Sequence, residues 1–197
     1  MGDAEREKRE KDVERVGAND PDLKVVDWYR QNVGNEEVDR LARALPGNTV
    51  LQSIRLDLNE DLTSVDALIE VLPRSKVVCV RLDSTGVPQD KVKDVARIVS
   101  VTAAERVGAN DPDLKEVDWS LQNVGNEEVD RLARALPGNT VLQSIDLYGN
   151  KDLTSVDALI EVLPRSNDPP TLQTPLPGAV VSQNPFLCSR YKWTSRS

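Results

Sequence analysis

A nine-position pattern, apolar-x-x-apolar-x-apolar-x-x-polar, recurs along this chain, starting at Leu23, Leu51, Val77, Leu114 and Leu142. Its inward positions are the first, fourth and sixth, as in Leu23, Val26 and Trp28, or Leu51, Ile54 and Leu56. So short an apolar run with polar residues interleaved predicts a strand of a few residues, buried on one side. Between these signals the period becomes helical. Glu36–Leu45 places Val38, Leu41, Ala42 and Leu45 on one face, and Pro46-Gly47 ends the run. Val65, Leu68, Ile69 and Leu72 do the same over 64–72, with Ser64 as the expected N-cap and Pro73 as the stop. A third helix is predicted from after Pro88 to about Val107, through Val92, Val95, Ile98 and Val99, with Gly108 as its C-cap. Each unit therefore reads as strand, turn and helix. Residues 4–16 hold only Ala4, Val13 and Val16 as apolar residues. They predict either a charged terminal helix that covers the first unit's open edge or a frayed start without fixed structure.

A longer period lies over the short one. Residues 14–75 and 105–166, aligned without gaps, agree at 55 of 62 positions. The seven differences are Val25/Glu116, Tyr29/Ser120, Arg30/Leu121, Arg55/Asp146, Asp57/Tyr148, Leu58/Gly149 and Glu60/Lys151. None falls at an inward position of the pattern and none on a helix, although Glu37, Asp39, Arg43 and Glu70 belong to the helices' outer faces. A surface that varies over an unchanged frame predicts recognition by that surface.

The segment Leu23-x-x-Val26-Asp-Trp28-x-x-Gln31-Asn-Val-Gly-Asn-Glu-Glu-Val38-x-x-Leu41-x-x-Ala44-Leu45, repeated at 114–136, resembles leucine-rich repeats of the ribonuclease-inhibitor-like class. The likeness extends over 23–166. Trp28 and Trp119 stand where that family has Leu, and Gln31 and Thr85 where it has Asn. The resemblance implies an α/β fold: a curved leucine-rich-repeat solenoid of about five strand-turn-helix units, parallel strands on the concave face and helices on the convex one. A fainter resemblance joins Asn-Asp-Pro-Asp-Leu at 19–23 and 110–114 with Gly-Asn-Thr at 47–49 and 138–140. It looks like the leucine-rich domain of tropomodulins, and it implies binding at the pointed end of actin filaments. The expected organisation is a charged helix over 1–17, a repeat domain over 18–166 and a Pro-rich tail over 167–197.

On the expected concave face lie the outward strand positions. They nominate Val25, Asp27, Tyr29, Arg30, Arg55, Asp57, Arg81, Asp83, Glu116, Asp118, Ser120, Asp146 and Tyr148 as partner-binding residues. The first three strands mix signs, whereas the last two are acidic, which suits a protein partner with a basic patch. The two tyrosines are of the type enriched at interface anchors. Asn59 and Asn150, at the ninth position, are expected to satisfy backbone groups of the turn leaving the strand.

Charge narrows the classes of function. Lys plus Arg number 25 against 33 Asp plus Glu, a net charge of -8, opposite to what a non-specific nucleic-acid binder needs. No apolar run reaches the ~20 residues of a membrane helix, and the N-terminal residues carry no secretory leader pattern. Cys79 and Cys188, far apart in sequence, form no disulfide framework. A cytoplasmic setting is expected. The chain has no His, no phosphate-binding Gly loop and no metal-ligand spacing, so no enzyme activity, cofactor or metal is expected. Cys79 is expected to point outward from its strand. After Ser166 the repeat gives way to a segment with Pro169, Pro170, Pro175, Pro177 and Pro185, which is expected to form no strand ladder or helix. Phe186, Leu187, Tyr191 and Trp193 are candidates to fold back over the end of the stack. Because the change comes within a unit, a truncated repeat fragment without independent function is a third reading.

Overall fold

In this computed structural model, residues 3–163 and 192–194 are described. The described residues form a mixed α/β chain with short strands and six α-helices. The order is α1 (Asp3–Gly17), β1 (Val25–Asp27), α2 (Asn35–Ala44), β2 (Ser53–Arg55), α3 (Asp66–Val71) with a 3-10 turn at Leu72–Arg74, and β3 (Cys79–Arg81). Then follow α4 (Gln89–Gly108), β4 (Glu116–Asp118), α5 (Asn126–Ala135), β5 (Ser144–Asp146), α6 (Asp157–Val162) and β6 (Lys192–Thr194). The strand-turn-helix order read from the sequence is present at each predicted unit. Two expected caps shift by one residue. Gly108 is the last residue of α4, not its cap. The N-cap of α3 is Val65, and the Ser64 hydroxyl accepts the Asp66 N–H at 3.3 Å from one residue further out.

The five pattern strands and β6 fall into two three-stranded sheets, β1-β2-β3 and β4-β5-β6, and no ladder joins β3 to β4 among the described residues. The chain likewise divides into two units, 1–102 and 103–197. The expected repeat domain 18–166 spans both. The strand starts explain where the break comes: they are 28, 26 and 28 residues apart within the copies but 37 apart from Val77 to Leu114. That longer interval contains the 20-residue α4, against 10 and 6 residues in α2 and α3.

In the first unit β1, β2 and β3 are parallel, with Val26, Ile54 and Val80 in register. The inward residues Leu23, Val26, Trp28, Leu51, Ile54, Leu56, Val77, Val80 and Leu82 are buried with the apolar stripes of α2, α3 and α4. Neither face of such a unit is apolar enough to fold alone, so helix stripe and strand row stabilise each other by burial, roughly 1.5–3 kcal/mol per Leu, Ile or Val. Charged α1 is present, and its charges explain its place. Lys8 Nζ donates to the Asp27 carbonyl at 2.8 Å and Arg9 Nη1 to the Gln31 carbonyl at 3.0 Å. The Trp28 indole donates to Asp12 Oδ2 at 3.0 Å. A polar helix thus meets hydrogen-bonding groups at the sheet's edge that an apolar helix would leave unmet.

The second unit begins as the first does. Val117 and Ile145 are in register in the parallel pair β4–β5. Its third strand is different: β6, from the segment expected to hold no strand, pairs antiparallel with β5, Trp193 opposite Ile145. The physical reason is local. The prolines end at Pro185, and Lys192-Trp-Thr194 is free of them. The proline run itself, Phe186, Leu187, Cys188 and Tyr191 lie outside the described residues. Among the described residues no helix is long and apolar enough to cross a membrane.

Candidate functional site

The turns that leave β1 and β4 are held by side chains from the next repeat. Asn59 Oδ1 accepts the N–H groups of Gln31 and Val33, both at 3.0 Å, while its Nδ2 donates to the Trp28 and Leu56 carbonyls at 2.9 and 2.8 Å. Asn150 repeats this with Gln122, Val124, Trp119 and Leu147. The expectation for the ninth position holds in both copies. Gln31 at the same position of β1 donates its amide to the Asp27 carbonyl at 3.0 Å, but its buried Oε1 finds no partner.

The residues of the fainter resemblance are also turn residues. Asn19 Oδ1 accepts the Thr49 N–H at 2.8 Å, and Asp20 takes Arg15 Nε at 2.7 Å and the Asp22 N–H at 2.9 Å. That arginine, donating to Asp20, holds its carboxyl below the ordinary carboxylate range. Asn110, Asp111 and Arg106 repeat the arrangement around Thr140 and Asp113. These segments hold one repeat against the next.

The candidate face is uneven. On β1, Val25 is 46% exposed and Tyr29 44%, and Arg30 is exposed. Asp27, Arg55, Arg81, Asp83, Asp118, Asp146 and Tyr148 are half-buried, and Glu116 is exposed. Asp57 and Ser120, expected outward, are buried. So are Val78 and Cys79, the latter only 2% exposed, which corrects the outward placing of that thiol. The first unit's face is open at β1 and closed at β3.

Three of the nominated carboxylates have a structural task. Asp27, Asp118 and Asp146 each use Oδ1 to accept the N–H two residues on, from Tyr29, Ser120 and Tyr148, at 2.9–3.1 Å. This Asx geometry makes the chain turn out of the strand. On the first unit Asp27 also joins Arg55 and Tyr29 in a trio. Arg55 Nη1 lies 2.9 Å from Asp27 Oδ2, and its guanidinium carbon 5.8 Å from the centre of the Tyr29 ring.

The seven differences between the copies come in linked sets. Where Arg55 and Tyr29 interact, the second copy has Asp146 and Ser120, so both partners change together. Leu58 sits at φ 57, a left-handed conformation that costs a side-chain-bearing residue roughly 1–2 kcal/mol. Its counterpart Gly149, at φ 76, carries no such strain. A Cβ on Gly149 would meet Leu121 Cδ2 at 2.4 Å, and Leu121 is the counterpart of Arg30. The glycine thus makes room for that leucine. Part of the divergence is therefore mutual packing, and its outcome is two chemically different surfaces. At the differing positions the first presents Tyr29, Arg30 and Arg55, and the second Glu116, Asp146 and Tyr148.

A shallow depression of the first unit is lined by Arg30, Asn32, Leu58, Glu60 and Asp61. Only Arg30 among these was nominated from the strand pattern. Leu58 and Glu60 differ between the two copies, and that difference is the sequence signal that points to them. Among the described residues no group of His, Cys, Asp or Glu is arranged to hold a metal ion.

Burial pushes the Asp57 carboxyl above the ordinary carboxylate range, against the opposing pull of Arg81. Its Oδ1 has no hydrogen-bond partner. A raised folded pKa means that ionisation of Asp57 is disfavoured by folding. Its contribution to stability therefore falls as pH rises from the unfolded value through the folded one. Asp57→Asn is expected to raise the urea midpoint at neutral pH and to narrow the gap between neutral and mildly acid conditions. A midpoint lowered at neutral pH would mean that the attraction to Arg81 outweighs burial.

No protein-family model matches the chain, and neither does any curated protein. Similar to it are, among others, two solved structures. One is leiomodin-1 actin-binding site 2, with a TM-score of 0.46 and 21% identity, covering 78% of this chain and 86% of that one. The other is the tropomodulin C-terminal domain of Caenorhabditis elegans, with a TM-score of 0.47 and 19% identity, covering 79% and 90%. One is a tropomodulin domain and neither is described as a ribonuclease inhibitor; at this level of similarity neither carries an inference about partner or activity.

Proposed function

We propose that this chain is a non-enzymatic, cytoplasmic module that binds a protein through the strand-and-turn surfaces of its units, with actin as the first partner to test. The observation that carries the reading is the placement of the seven differences: all lie on strands or the turns that leave them, while α2 and α5, and α3 and α6, are identical in sequence. Tyrosine and arginine, the residue types of Tyr29 and Arg55, dominate interface energetics. The acidic second surface is complementary to a basic patch on a partner.

The actin arm rests on the sequence resemblance of 19–23 and 47–49 to tropomodulins. Because Asn19, Asp20 and Thr49 hold turns, the resemblance supports a shared scaffold, and contact residues are sought on the variable surface. Pyrene-labelled filaments blocked at their barbed ends provide the assay. The chain is expected to slow loss from pointed ends, and Tyr29→Ala with Arg55→Glu to abolish the slowing while the chain stays folded by circular dichroism. Unslowed loss with the unaltered chain removes actin as partner. Slowing that survives the double substitution removes the first unit's strand surface.

A further inference from the structure

The internal duplication supplies a control for one face of the molecule. Residues 62–72 and 153–163 are identical in sequence. In the first unit Leu62, Val65, Leu68 and Leu72 are wholly buried, in one cluster with Val77, Val80, Leu82, Val87, Val92, Val95 and Val99 of the strand-turn-helix that follows. In the second unit the same residues are less covered. Val156 is 7% exposed, Leu153 and Leu163 are half-buried, and Ile160 is 53% exposed where Ile69 packs against the core. Residues 167–197 do not repeat the sequence that buries this face in the first unit, 76–104.

We infer that the end of the second unit formed by β5 and α6 is a docking site for a partner's parallel strand-turn-helix of the kind that residues 76–104 form, and that β6 occupies the strand position in its absence. This stands independently of the proposed function.

Three features fit that occupant. First, β5 offers Ser144, Ile145 and Asp146 to β6 at the positions where β2 offers Ser53, Ile54 and Arg55 to β3. A parallel strand therefore has a ready template, at present filled by an antiparallel one without a following helix among the described residues. Second, charges suit it better than in the first unit. Arg55 stands directly opposite Arg81, a like-charged pair, whereas Asp146 would face the same arginine with opposite sign. Lys91 pairs with Asp66 at 2.8 Å, and Asp157 repeats Asp66. Third, the fit needs a glycine. A Cβ on Gly86 would lie 2.8 Å from the Glu60 carbonyl oxygen and 3.1 Å from that of Leu62, so this turn approaches backbone that Lys151 and Leu153 repeat.

The test uses the full chain and a fluorescently labelled synthetic peptide of residues 76–104, followed by anisotropy. Saturable binding is expected. Ile160→Asp in the chain is expected to weaken it about tenfold or more, since docking would bury an unpaired carboxylate. Ile160 is half exposed, and a melt by circular dichroism checks that this variant stays folded. Gly86→Val in the peptide is expected to weaken binding similarly. Trp193→Pro, which makes β6 a poor strand, is expected to strengthen it. A peptide that does not bind, or that binds equally with Gly86→Val and Ile160→Asp, overturns the proposal. A chain that sediments as a dimer and takes no peptide assigns the face to self-association and overturns it equally.

Discussion

Replacing Trp28 by alanine lowers the stability of the first unit by about 3–5 kcal/mol, the range for deleting a large buried aromatic. Trp28 is wholly buried and belongs to the cluster that joins β1, β2 and β3 to their helices. It also has a polar tip. Its indole N–H donates at 3.0 Å to Asp12 Oδ2, and Asp12 is itself only 7% exposed. Trp28→Ala therefore combines a cavity with a buried carboxylate that loses its indole donor and keeps Lys8 3.6 Å away. Trp28→Phe separates the two effects. It keeps most of the apolar volume and removes the donor, with an expected loss of about 1–3 kcal/mol. Denaturant unfolding followed by circular dichroism measures both. A loss under about 1 kcal/mol for the alanine variant would contradict the burial of this ring. Double substitution with Asp12→Asn tests the pair, because contacting groups are non-additive.

Asn59→Ala is expected to destabilise by about 3 kcal/mol or more, since each buried polar group left unsatisfied costs roughly 1–3 kcal/mol. Asn59 is wholly buried, and one amide serves two consecutive turns: it accepts from Gln31 and Val33 and donates to the carbonyls of Trp28 and Leu56. Hydrogen exchange gives the specific readout. The Gln31 and Val33 amides are expected to lose protection before the rest of β1 and β2 does. If they stay protected in the variant, the amide is not what holds the turn. Asn59→Asp retains the two acceptor bonds but sets a carboxylate against two carbonyls. Burial would raise its folded pKa, so that variant is expected to recover stability as pH falls, the sign opposite to that of a salt-bridged acid.

Asn59 is also a measure of what was legible. The ninth position of the pattern marked it, and its role follows from the chemistry of an amide that both donates and accepts. Trp28 and Trp119 were legible as core residues because they occupy an inward position that must be apolar. The partner residues were less legible. Asp27, Asp118 and Asp146 were nominated as contact groups, and they also terminate strands by accepting a backbone N–H. An aspartate two residues before a turn supports both readings, and geometry was needed to see the hydrogen bond. Asp57 and Ser120 occupy the seventh, outward position of the pattern, and both are buried. A position in the pattern specifies a side, not how much of that side other residues cover.

Side-chain spacing along the chain was enough to place the strand-turn-helix units, the helix stripes, the asparagines at the turns and the repetition of one segment, because each depends on residues near one another in a local element. Tertiary structure decided that five pattern strands form two sheets, that a strand from beyond the last repeat closes the second one, and that Cys79 and Asp57 are shielded from solvent. It also decided that substitutions far apart in the chain, such as Leu121 and Gly149, share one space. These are relations between elements distant in sequence, set by which surfaces meet, and a local period carries no information about its neighbour in space.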